Sequence, residues 1–197
     1  MTAKTIFSLE GVVLAPPDLA KATLILIDYQ NEYLAGPLAL VEPESAVARA
    51  ARLLAAARAA GSHIIHVAQL GEAGGIFDRA SVRGAFIDAV SPVEGEKVVE
   101  KVNANAFFET GLQALVGPAG TDVIIAGFMT HNCVSSTVRA ACDLGYAITI
   151  VADACATRDL PLPDGTIVAA AMLHRATIAA LGDAQGLIVD VADLIGA

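Results

Sequence analysis

Short, continuous apolar runs, each closed by a polar or charged residue, alternate along this chain with longer segments of helical period. That alternation is the pattern of strand–helix–strand units building a parallel sheet that is covered on both faces. The first run, Thr23-Leu24-Ile25-Leu26-Ile27, meets Asp28 at its carboxyl end and reads as a central strand. Further strands are expected at His63–Val67, Lys97–Lys101, Asp122–Ala126, Ala147–Ala152 and Gly186–Asp190. Ser45 to Ala60, dense in alanine, leucine and arginine and stopped by Gly61, reads as a helix with a glycine cap. Other helices are expected over Thr110–Val116, Asn132–Leu144, Asp164–Leu181 with Asp164 as N-cap, and Val191–Ile195. Gly71 to Gly95 holds no sustained period and reads as a long irregular excursion of the kind that carries function. The expected fold is α/β: a three-layer α/β/α sandwich with a six-stranded parallel, Rossmann-like sheet, as one domain over residues 1–197.

Composition narrows the function classes. Of 197 residues 55% are hydrophobic and 17% charged, ample apolar material to offset the conformational entropy lost on folding. Twelve Lys+Arg against 21 Asp+Glu leave a net charge of −9, which repels phosphate backbones and anionic lipid headgroups. No nucleic-acid or membrane partner is expected. The longest stretch without a formal charge, Val123 to Val138, carries Thr130, His131, Asn132, Ser135, Ser136 and Thr137, too many polar groups for a lipid environment. The amino-terminal segment lacks the apolar core of a secretory signal, so a cytoplasmic location is expected. Cys133, Cys142 and Cys155 are then expected to stay reduced.

In open parallel sheets ligands bind outside the carboxyl ends of the strands. Strand one ends at Asp28, strand three at Lys101, and strand four runs into Gly127-Phe128-Met129-Thr130-His131-Asn132-Cys133, with Cys133 near a helix start. A helix amino terminus and an ammonium both stabilise a thiolate, and a nearby carboxylate can take the thiol proton. The same helix start offers backbone N–H groups to an oxyanion. Cys142 lies nine residues beyond Cys133, about 180° round one helix, and reads as core filler. Cys155, with no base assigned to it, reads as structural. His63 and His66 fall on opposite faces of a strand and cannot share a metal there. His131 can contact substrate or satisfy backbone groups in its turn, and His174 reads as packing or interface.

Three blocks carry a resemblance over nearly the whole chain: LILIDYQNEY, EKVNANAFFETGL, and GFMTHNCVSSTVRAACDLGY followed by ITIVADACATRDL. In this order and spacing the chain resembles the isochorismatase-like cysteine hydrolases. The resemblance implies a Cys-Asp-Lys triad, falling on Cys133, Asp28 and Lys101. It also implies a cis peptide at Phe128-Met129, an oxyanion hole from the N–H groups of Met129 and Cys133, and a substrate pocket lined by Tyr33 and Phe107, with His131 beside it. The metal-binding Asp-x-His motif of the nicotinamidases in that superfamily is absent from Ala68 to Gly75, so no metal and no cofactor are expected. Isochorismatases proper lack the nucleophilic cysteine, so the chemistry implied here is thiol-mediated hydrolysis of a C–N bond in a small molecule. An ether or ester hydrolase, and a ligand-binding or assembly protein, remain the alternatives. Alanine-rich helical faces, together with the resemblance, point to a homo-oligomer, a dimer or tetramer.

Overall fold

The computed structural model describes residues 2–196. Its centre is a six-stranded sheet, all parallel, in the order β3-β2-β1-β4-β5-β8. The strands are β1 (Thr23–Ile27), β2 (His63–Gln69), β3 (Lys97–Lys101), β4 (Asp122–Gly127), β5 (Ala147–Val151) and β8 (Leu187–Val189). Every residue of β1 is buried, as its unbroken apolar run demands. Successive side chains of a strand point to opposite faces. Leu24 and Leu26 therefore enter one core with Ala50, Leu53, Leu54 and Ala57 of α3 (Pro43–Ala60). Ile25 and Ile27 enter the other, with Val138 and Ala141 of α5 (Ser135–Asp143) and Leu181 of α6 (Ala170–Ala184). Helices cover both faces, giving the three layers read from the sequence. Among the described residues no helix is long and apolar enough to cross a membrane.

Strand order reverses direction at β1. From there the chain builds outward to β2 and β3, and later to β4, β5 and β8 on the other side. The carboxyl ends of β1 and β4 thus flank the crevice where a parallel sheet binds ligands. Gly127 closes β4 opposite Ile27. Its φ of +151° and the space around it both demand glycine: a Cβ there would lie 2.2 Å from the Ile27 carbonyl oxygen and 2.7 Å from its Cβ.

Several boundaries differ from the sequence reading. The helix expected from Asp164 begins instead at Ala170, whose N–H donates to Asp159 Oδ1 at 2.7 Å. Pro163-Asp164-Gly165 is turn chemistry. Asp164 Oδ1 accepts from Thr166 N–H and Oγ1 at 2.9 and 2.7 Å, and the turn joins a two-stranded hairpin of β6 (Leu160–Pro161) and β7 (Ile167–Val168). β2 runs two residues further than its apolar run, to Gln69. The excursion from Gly71 to Gly95 holds a single 3-10 turn, Asp88–Val90. Three short helices complete the chain: α2 (Glu32–Ala35), α4 (Leu112–Val116) and α7 (Val191–Ile195). A further one, α1 (Ile6–Leu9), precedes β1 and, like α2, has no clear signal in the sequence.

Gly127→Ala is expected to lower stability by about 1–3 kcal/mol, since the obstructing atom is backbone and β1 or β4 must move. Denaturant unfolding of the variant measures the loss.

Candidate active site

Asp28 is the first residue past β1. Its N–H still bonds Val67 O on β2 at 2.9 Å, while φ of +55° turns the chain out of the sheet. Aspartate tolerates that conformation better than most residues. Lys101 ends β3, two strands away, with Gln69 of β2 between them in register. Both charged groups are fully buried. Lys101 Nζ donates to Asp28 Oδ2 at 2.8 Å, to Gln69 Oε1 at 2.5 Å, and lies 3.3 Å from Cys133 Sγ. All three ammonium hydrogens thus have a partner.

Gln69 holds its orientation through its own bonds. Its Nε2 donates to Val102 O at 2.9 Å, and its N–H donates to Gln30 Oε1 at 2.8 Å. Gln30 Nε2 returns to Gln69 O at 3.0 Å and reaches Gly84 O at 2.9 Å. A glutamine pair therefore spans β1, β2 and the excursion beneath the lysine.

Cys133 sits in a π-helical turn, Thr130–Val134, that leads into α5. Val134 N–H bonds Met129 O at 3.3 Å, five residues back. Two imidazoles pin the turn: His174 Nδ1 lies 2.9 Å from Thr130 Oγ1, and His131 Nδ1 lies 2.6 Å from Thr157 Oγ1. The Phe128-Met129 peptide is cis. Phe128 N–H bonds Ile27 O and Thr130 N–H bonds Ala156 O, whereas Met129 N–H has no acceptor among the described residues. Cys133 N–H belongs to the first turn of the helical segment, where donors have no carbonyl one turn back.

Burial dominates the electrostatics. It pushes the Asp28 carboxyl above its ordinary value, against the opposing pull of Lys101. Burial, then the negative charge of Asp28, push the Cys133 thiol up to about 12, outweighing the ammonium 3.3 Å away. Burial therefore favours the thiol over the thiolate that Lys101 and the helix start stabilise, which leaves the removal of its proton to Asp28. Asp28 Oδ1 is buried without a partner among the described residues, which leaves one carboxylate oxygen to receive its proton.

A cavity of about 360 Å³ opens onto Cys133 Sγ, walled by Tyr33, Ile76, Phe77, Val102, Met129 and Asn132 among others. Tyr33, expected beside the substrate, lines this cavity. Phe107 does not: its ring stacks on Tyr146 with centroids 5.7 Å apart, because Ala106 N–H is tied to Thr137 Oγ1 and swings the next side chain into the second core. His131 likewise turns to Thr157 and leaves the wall to its neighbour Asn132. The remaining sulfurs and imidazoles stay apart from the cavity. Cys155 Sγ donates to Val151 O at 3.3 Å, Cys142 packs against the second core, and His66 is buried against Glu96 at 2.7 Å while His63 is exposed. Among the described residues no three His, Cys, Asp or Glu side chains group closely enough to hold a metal ion.

Three residues at or near the site escaped the sequence reading. Gln69 fell beyond the apolar run, although its place at a strand tip beside Lys101 marks it. The Asn132 amide has no hydrogen-bond partner among the described residues. Arg158, seven residues past β5 and outside the cavity lining, has no acidic partner among the described residues, its Nε is buried unpaired, and its charge bears on both His131 and Tyr33.

The isochorismatase domain model matches residues 22–185. The chain belongs to the isochorismatase family. Within that family it is 39% identical over 163 residues to YddQ of Bacillus subtilis, covering 80% of this chain and 89% of that one. It is 33% identical over 149 residues to a maleamate amidohydrolase of Pseudomonas putida, covering 66% and 70%. The crystal structure of an isochorismatase from Pseudomonas putida KT2440 superimposes with a TM-score of 0.91 at 46% identity, over 98% of this chain and all of that one (100%).

Iodoacetamide labelling of Cys133 is expected to be slow at neutral pH and still rising well above ~8.5, the midpoint of an ordinary thiol. Asp28→Asn removes the negative charge that raises the thiol, so labelling of that variant at a fixed mildly alkaline pH should accelerate. Intact mass spectrometry against time reads both.

Proposed function

We propose that this chain hydrolyses a C–N bond of a small amide, imide or carbamoyl compound through a thioester on Cys133. The contact that carries the reading is the Lys101 ammonium touching both Asp28 Oδ2 and Cys133 Sγ beneath an open cavity. Cys133 Sγ attacks the substrate carbonyl carbon as Asp28 Oδ1 takes the thiol proton, so that a thiolate exists only as the C–S bond forms. Lys101 offsets the negative charge left in the pocket. The carbonyl oxygen, now carrying the charge, accepts from Met129 and Cys133 N–H. The protonated Asp28 then donates to the departing nitrogen, the C–N bond breaks, and an acyl thioester remains. In the second half Asp28 takes a proton from water, the resulting hydroxide attacks the thioester, and the C–S bond breaks as Asp28 returns that proton to sulfur, restoring the resting thiol.

A buried carboxyl with a raised pKa suits this double duty, because within each half it must take up a proton and hold it until the leaving group receives it. Every step draws on side chains and backbone N–H groups of this chain and on water. Arg158 indicates one feature of the substrate. A guanidinium without an acidic partner among the described residues, whose charge reaches Tyr33 in the cavity wall, fits an amide whose far end carries a carboxylate. The amidohydrolase relative supports C–N hydrolysis as the reaction class.

Ammonia release from a panel of small amides, ureas and N-carbamoyl compounds should identify a substrate. Against it, Cys133→Ala is expected to fall to background, and Asp28→Asn to lose about 10²–10⁴-fold in kcat. Near-normal turnover by Cys133→Ala would mean that no thioester forms. Arg158→Leu should raise KM for carboxylate-bearing amides about 10–100-fold, leaving neutral ones little changed.

A further inference from the structure

A ligand that fills the cavity above Cys133 drives water out of it, and any polar wall group then left without a partner bears the full loss of its hydration. The polar side chains of the wall therefore decide what a ligand must carry. Besides the cysteine, three line it: Tyr33, Gln69 and Asn132. Tyr33 is 1% exposed, its ring packed against those of Phe77 and Phe128 with centroids 5.2 and 5.7 Å away, and it shows the cavity almost none of its surface. Gln69 is spent, since Oε1 accepts from Lys101 at 2.5 Å and Nε2 donates to Val102 O at 2.9 Å. Asn132 is half-buried, and its side-chain amide bonds nothing among the described residues.

The backbone fixes its place. Asn132 N–H donates to Met129 O at 3.0 Å, its carbonyl accepts from Ser135 N–H, and His131 before it is held by Thr157. Cys133 follows directly, with its Cα about 3.8 Å on. The Asn132 amide, which both donates and accepts, thus meets a ligand close to the carbonyl that Cys133 attacks. Charge is unwelcome there. No residue lining the cavity carries a formal charge, and Lys101 and Asp28 beneath it are paired with each other and at most 2% exposed. An ion set against so apolar a wall loses its hydration without return. Arg158, outside the lining, can serve only the far end of a longer molecule.

We infer that Asn132 is a specificity-determining residue: it hydrogen-bonds an uncharged hydroxyl or second amide on the carbon next to the attacked carbonyl, so that α-hydroxy amides and diamides are taken in preference to plain and α-amino amides. The inference deepens the proposed C–N hydrolysis and rests on it only for the place of the attacked carbonyl.

Lactamide, propanamide and alaninamide differ only in what that carbon bears: a hydroxyl, a hydrogen, or an ammonium at mildly acidic pH. Their binding to Cys133→Ala, in which no thioester forms, is followed by NMR through the Asn132 side-chain amide signals, which are identified by their loss in Asn132→Leu. Lactamide is expected to bind about fivefold to tenfold more tightly than propanamide and to shift those signals, with alaninamide the weakest. Adding Asn132→Leu should erase the preference for lactamide, and adding Asn132→Asp should make alaninamide the favoured ligand. Equal binding of lactamide and propanamide overturns the inference, as does a preference that survives Asn132→Leu, an alaninamide still weakest with Asn132→Asp, or no binding of lactamide up to its solubility. Ammonia release from lactamide by the wild-type chain is read separately: its absence with the binding preference intact strikes the hydrolysis reading and leaves Asn132 as the selector of the ligand.

Discussion

Taking an ammonium and a carboxylate wholly out of water opposes folding by several kcal/mol for each ion, and their attraction offsets this only when geometry and hydrogen bonding are close to ideal. Lys101 and Asp28 meet that demand because they stand at the tips of β3 and β1, with β2 between them setting the spacing and supplying Gln69 to the lysine's second hydrogen. The register of three strands therefore fixes the positions of two charges. Gly127 then lets β4 close against Ile27, which brings the turn with Cys133 to the lysine's third hydrogen. The chemistry is a property of the sheet's carboxyl edge before it is a property of any loop.

At Cys133 two effects compete and burial wins. The ammonium at 3.3 Å favours a thiolate, but loss of solvent and the nearby carboxylate push the thiol up to about 12. A resting thiol is a weak nucleophile and a poor target for adventitious electrophiles and oxidants. In the proposed reaction, activation is consequently tied to a bound carbonyl that can accept the electron pair while Asp28 Oδ1 receives the proton.

The parts of this arrangement that depend on the chain's own order were legible in the sequence. Five buried-type residues running into Asp28, a lysine closing a short strand and a cysteine after the fourth strand announce themselves, and the resemblance adds Met129 and Tyr33. What depends on lateral neighbours was not. Gln69 acts through its register with Lys101, a relation across strands that periodicity along one strand cannot express. Phe107 was misplaced because the tether that turns it, Ala106 to Thr137, joins segments about thirty residues apart. Whether Lys101 or burial governs the Cys133 thiol is likewise a question of packing density, which residue types alone do not answer. At Asp164 the local chemistry of Pro-Asp-Gly, read as a helix cap, serves a hairpin instead.

The wall of the cavity is fastened in a manner that has an evolutionary side. The excursion is sewn to the segment after Asp28 through main-chain atoms: Asn31 N–H to Ala85 O, Glu32 N–H to Arg83 O, and Ile87 N–H to Tyr29 O. Such stitches are indifferent to which side chains the excursion bears. Ile76 and Phe77, which line the cavity at Cys133, can drift without loosening the seam, while the strand tips that carry Asp28 and Lys101 stay untouched. The shape and polarity of the cavity can thus be remodelled through a few replacements in a single stretch of chain, at no cost to the seam that holds it.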